Sequence, residues 1–73
     1  PYHLIRLFKA HKGMPPHAFL LQIRLEHARM KLESGAPISH AALDSGFSDQ
    51  SHLTRAFKAR YGLTPAVYRK RDR

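Results

Sequence analysis

The chain has 73 residues, no cysteine, 13 basic and 5 acidic side chains, and a formal net charge of +8. That length bounds it to one small domain, and the composition excludes a disulfide staple and a thiolate metal site. No apolar run is long enough to span a membrane. The charge points to a polyanionic partner. It is spread over the chain, six basic and two acidic side chains in residues 1–35 against seven and three in residues 36–73, so it is not a basic tail on a neutral body. With no cysteine and no signal peptide at its start, the expected compartment is the cytoplasm.

Every element is predicted to be helical, because no stretch alternates apolar and polar residues as a half-buried strand requires. The first helix is predicted from the start to about His11. Leu4, Leu7, Phe8 and His11 recur at helical spacing, and Gly13 can take the left-handed conformation that ends it. Pro16 sits where a first-turn proline is tolerated, and a long helix follows to about Ser34. Leu21, Leu25, Ala28 and Leu32 form its apolar stripe. Phe19, Ile23 and Met30 widen that stripe, which predicts contact on more than one side. Gly35 and Pro37 stop it.

Ser39 is the expected N-cap of a short helix through about Ser45. Gly46-Phe47-Ser48 forms a tight turn. Ser48 is expected to cap the next helix, with Asp49 in its first turn, where the macrodipole favours a negative charge. That helix runs to about Tyr61 and ends at Gly62. Thr64 and Pro65 are N-cap and first position of a final short helix, which frays into the basic run Arg69-Lys70-Arg71-Asp72-Arg73.

One stretch occurs twice. Residues 3–19 read HLIRLFKAHKGMPPHAF and residues 52–68 read HLTRAFKARYGLTPAVY, at a constant offset of 49 without a gap. A close repeat in a short chain is one supersecondary unit used twice. Both copies keep an inward pair, Leu4 with Phe8 and Leu53 with Phe57. Both also keep an outward Arg and Lys, Arg6 with Lys9 and Arg55 with Lys58. Packing explains the first identity but not the second. The copies differ at their exit turns, where Pro15 stands at the position of Thr64 and offers no side-chain acceptor.

Residues 39–61 have the anatomy of a helix-turn-helix: short helix, glycine turn, second helix. Ala42 lets the two helices cross closely, Gly46 makes the turn, and Phe47 plugs the angle. Leu53 and Phe57 pin the second helix to the core, with Ala56 and Tyr61 beside them. Its opposite face carries Gln50, Ser51, Thr54, Arg55 and Lys58. The first four lie in the N-terminal half, which enters the major groove in this motif. Arg bonds guanine bidentately, Gln does so with adenine, and Ser or Thr bonds several bases. Lys58 suits a phosphate, as does the hydroxyl of Ser48 in the turn. The 49-residue offset puts Tyr2, Ile5, Arg6 and Lys9 at the positions of Ser51, Thr54, Arg55 and Lys58.

The segment GFSDQSHLTRAFKARYGLTPAVYR, residues 46–69, resembles the C-terminal DNA-binding domain of the AraC/XylS family of bacterial transcription regulators. It has the family's Gly-Phe turn, Phe-Lys pair, Gly-x-Thr-Pro link and terminal Tyr-Arg. Arg24-Leu25 followed by Ala28 and Leu32 resembles the long helix that joins the family's two helix-turn-helix units. The resemblance runs in order over essentially the whole chain. It departs at Ala41, where a larger aliphatic residue is usual, and before residue 3, where only Pro1 and Tyr2 precede the first copy.

The resemblance implies an all-α fold of two homeodomain-like, three-helical helix-turn-helix units joined by a long linker helix. The first unit is expected to be truncated. Residues 1–15 would be its remnant, 16–34 the linker, and 38–73 the second unit with a final helix. One base-reading set would be Gln50, Ser51, Thr54 and Arg55, the other Tyr2, Ile5 and Arg6, with Ser48, Lys9 and Lys58 on phosphates. The partner would be double-stranded DNA, with RNA polymerase as a possible second. An effector or dimerisation domain is expected upstream in the full-length protein. No membrane contact is expected.

A linker of about 19 residues is about 28 Å long at ~1.5 Å per residue, near the ~34 Å recurrence of the major groove. Such a linker could present both reading helices to adjacent grooves. Two other classes fit the composition. A protein-interaction module would tolerate loss of Gln50 and Arg55, and a charge-driven nucleic-acid binder would show steep salt dependence without sequence discrimination. Enzymatic function is disfavoured, since there is no cysteine nucleophile and the carboxylates are scattered. No cofactor or metal is expected, because none of the six histidines lies three or four residues from another.

Overall fold

A computed structural model describes residues 15–71, and these form four helices with no strand among them. They are α1 (Pro16–Glu33), α2 (Ile38–Asp44), α3 (Gln50–Tyr61) and α4 (Pro65–Arg71). The expected first helix, and the expectations for Tyr2, Ile5, Arg6 and Lys9, lie outside the described residues.

Helix α1 starts as its proline predicts. Pro15 is the N-cap, makes no side-chain cap, and receives only the backbone bond from Phe19 N at 3.0 Å. At the other end Ser34 Oγ donates to Lys31 O at 2.8 Å, and the amides of Gly35 and Ala36 close back on Leu32 and Lys31. Arg69 from α4 completes this end. Its guanidinium donates to the carbonyls of Ala36 and Leu32, placing a cation where the helix dipole favours one. That contact also docks α4 against the end of α1.

Two caps differ from the sequence expectation. Helix α2 begins at Ile38 after Pro37, whose backbone (φ −55°, ψ 144°) is already set for a helix start, and no side chain caps it. Ser39 therefore lies within the first turn rather than before it. In α3 the cap is Asp49, not Ser48. Asp49 is extended (φ −162°, ψ 178°) and its Oδ1 accepts from His52 N at 2.8 Å. A carboxylate at this position both satisfies a free amide and complements the dipole, which a serine hydroxyl does only in part. Ser48 Oγ instead sits 3.3 Å from the His52 Nδ1. The caps at Gly62 and Thr64 match expectation. Gly62 is left-handed (φ +86°), and Thr64 Oγ1 accepts from Val67 N at 3.3 Å.

The core is one cluster: Leu25, Ala28, Leu32, Ala41, Ala42, Phe47, Leu53 and Phe57, with Ile38, Ala56, Tyr61 and Tyr68 packed at its edge. Ala41 and Ala42 are fully buried, and their small side chains let α2 approach α1 closely. The wide stripe expected on α1 narrows. Leu25, Ala28, Leu32 and Phe19 are buried, but Leu21 is 37% and Met30 59% exposed. Periodicity placed Leu21 in the stripe itself and Met30 among the residues that widen it, but neither belongs to the core that α2, α3 and α4 build with α1.

Candidate nucleic-acid interface

The second helix of the helix-turn-helix is held from behind. Leu53 and Phe57 are fully buried and one turn apart. Phe47 fills the angle after the turn and meets the His52 ring edge-on at 5.1 Å between centroids. Phe57 is flanked by Tyr61 at 4.6 Å and Tyr68 at 5.4 Å. Rings in these tilted and edge-to-face arrangements add directional attraction to burial.

With that face occupied, the other faces outward. Gln50, Ser51 and Arg55 are exposed, Thr54 is half-buried, and the four together line one shallow surface concavity. Lys58 is exposed one turn further along, and Ser48 is exposed at the turn. The structure thus brings together the four residues read from the second copy of the repeat. Tyr2, Ile5, Arg6 and Lys9 belong to the part not described.

The charges sort by face. On α1, Arg29 donates to Glu26 at 2.9 Å and to Glu33 at 2.8 Å. Lys31 pairs with Asp44 of α2 at 3.6 Å, and Asp49 is engaged as the α3 cap. Among the described residues, no carboxylate pairs with Arg55 or Lys58. The outward face of α3 is therefore left with uncompensated positive charge and neutral hydrogen-bonding groups.

Sequence reasoning missed the polar contacts that dock α2, the turn, α3 and α4 on α1. Arg24 lies over the turn at Gly46, and the His27 Nδ1 is 2.9 Å from Ser45 Oγ. With Lys31 to Asp44, these are three basic side chains of α1 meeting three consecutive residues, the last of α2 and the first two of the turn. Tyr61 donates to Glu26 at 3.4 Å and Tyr68 donates to Glu33. Hydrogen bonding from Arg29 holds the Glu26 carboxyl below its ordinary value of 4.5. Burial pushes the Tyr61 hydroxyl above 10.0, and the bond to Glu33 does the same for Tyr68. Only the Glu26–Arg29–Glu33 spacing was open to a reading along the chain.

A short helix, a glycine turn, and a second helix pinned inward with a free polar face define a helix-turn-helix domain. The family described as "Helix-turn-helix domain" matches residues 1–71. The chain is 38% identical over 68 residues to the HTH-type transcriptional regulator MtrA of Neisseria gonorrhoeae, covering 92% of this chain and 23% of that protein. It is 40% identical over 73 residues to the HTH-type transcriptional regulator GlxA of Rhizobium meliloti, covering 99% and 22%. It is 34% identical over 68 residues to the HTH-type transcriptional activator RhaS of Escherichia fergusonii, covering 92% and 24%. The chain belongs to the AraC/XylS family of helix-turn-helix transcription regulators and corresponds to its DNA-binding domain. It spans less than a quarter of the length of each of these three relatives. No solved structure matches it. Among the described residues, no helix is long and apolar enough to cross a membrane.

Proposed function

We propose that this domain binds double-stranded DNA sequence-specifically as the reading part of a bacterial transcription regulator, with α3 in the major groove. Gln50, Ser51, Thr54 and Arg55 contact base edges, while Lys58 and Ser48 contact phosphates. The observation that carries this is the single concavity formed by those four side chains on the outward face of α3. Among the described residues no carboxylate pairs with Arg55 or Lys58, which favours a phosphate-lined groove as the partner of that face. Arginine and glutamine at the N-terminal end of a groove-inserted helix are the donors that base edges discriminate best.

Tyr2, Ile5 and Arg6, with Lys9 on a phosphate, form the second reading set by the repeat. Helix α1 is then the linker. Its 18 residues span about 27 Å at ~1.5 Å per residue, somewhat short of the ~34 Å groove recurrence. Engagement of two adjacent grooves therefore bends the DNA. Such a domain acts in the cytoplasm, does no covalent chemistry, and takes its regulation from segments beyond it, including an effector or dimerisation domain and contact with RNA polymerase.

Selection of bound sites from random duplex DNA tests the reading. A recurring motif with positions fixed at two groove segments supports it. A bound pool indistinguishable in sequence from the input contradicts it.

A further inference from the structure

The reading helix is tied to α1 by directional bonds as well as by its apolar face. Arg29, at the middle of the C-terminal half of α1, forks between Glu26 at 2.9 Å and Glu33 at 2.8 Å. Each carboxylate then accepts a phenol from the other side of the domain. Glu26 takes Tyr61, the last residue of α3, and Glu33 takes Tyr68 of α4. Both phenol rings flank Phe57, the fully buried anchor of α3. One guanidinium thus orders two carboxylates, two phenols and the ring between them.

Apolar burial is non-directional, so Leu53 and Phe57 fix which face of α3 turns inward but leave the fine setting of its roll to directional contacts. Hydrogen bonds are directional, and a planar guanidinium holds two acceptors in a fixed fork, whereas the three donors of an ammonium rotate freely. Base reading is sensitive to that roll, because bidentate contacts from Gln50 and Arg55 need aligned donors. We propose that Arg29 is a positioning residue for base reading, which sets the orientation of α3 through the Tyr61–Glu26 and Tyr68–Glu33 bonds without touching DNA. This rests on the sequence-specific reading proposed above.

The test compares wild type with Arg29→Met and Arg29→Lys on a selected site and on random duplex of the same length. The methionine keeps the apolar stem, and the lysine keeps the charge. Both variants are expected to lose about tenfold in the ratio of cognate to random affinity, the scale of one misaligned bidentate contact. The lysine variant should keep its affinity for random duplex within about twofold, since backbone contacts follow charge. A ratio unchanged in both variants, or a fall on cognate and random DNA together, overturns the proposal. Should the Arg29 variants unfold, the double variant Tyr61→Phe with Tyr68→Phe keeps both rings and removes only the hydroxyls, and the same fall in the ratio is required of it. A wild-type protein that fails to discriminate at all would instead sink the base-reading function, a result distinct from either outcome for Arg29.

Discussion

A Cβ placed on Gly46 would stand 2.8 Å from Nε of Arg24, so the helix-helix turn and the flank of α1 are in contact through a residue that has no side chain. Gly46 also has φ +92°, a conformation that costs other residues roughly 1–2 kcal/mol. Gly46→Ala is expected to destabilise the domain by about that amount in urea denaturation. Adding Arg24→Ala should recover little, because the Arg24 side chain can swing aside while the backbone cannot change the sign of φ. Full recovery in the double variant would make the steric contact, rather than the turn conformation, the source of the loss.

The cap of α3 gives a second comparison. Asp49 accepts from the His52 amide at 2.8 Å, and Ser48 reaches only the His52 ring. Asp49→Ala should cost about 1 kcal/mol of stability, and Ser48→Ala clearly less. Equal losses would put Ser48 back as a cap.

Acid should loosen the domain through the Arg29 fork. The Glu26 carboxyl is held below its ordinary 4.5 by its bond with Arg29, so the folded state binds that proton less readily than the unfolded chain. The resulting stability is fully present above 4.5 and is lost as pH falls through the folded value. Tyr61 and Tyr68 are raised above 10.0, so their contribution is complete below 10.0 and is lost as pH rises further. Thermal unfolding across pH should show both edges, and Glu26→Gln should flatten the acid one. An unchanged acid edge in that variant would remove Glu26 from the account.

Helix α1 separates periodicity from packing. Leu32 is 2% exposed and Met30 59%. Leu32→Ala should cost about 2–5 kcal/mol, while Met30→Gln should change stability by no more than about 0.5 kcal/mol. A large loss at Met30 would mean that its face is covered.

The helices were legible because proline and glycine mark their ends: Pro16, Pro37, Gly46, Gly62 and Pro65 all stand at or beside a boundary. The outward face of α3 was legible for a related reason, since Leu53 and Phe57 fix which side is inward. The cap at Asp49 was missed because Ser48 and Asp49 are both good caps, and only the extended backbone of Asp49 decides between them. The exposure of Leu21 and Met30 was missed because the pattern along one helix does not say how many neighbours it has. The bonds from α1 to Tyr61, Tyr68 and Arg69 join residues more than 30 positions apart, and no local pattern signals them.

In the proposed complex Arg55 reads a base while Lys58 holds the backbone. Affinities of Arg55→Ala and Lys58→Ala for a selected site and for random duplex test it most directly. Arg55→Ala should lose about 1–3 kcal/mol on the selected site alone and relax preference at one base pair. Lys58→Ala should weaken both duplexes alike and lower the salt dependence by about one counterion. Equal losses on the two duplexes for Arg55→Ala would contradict base reading by α3.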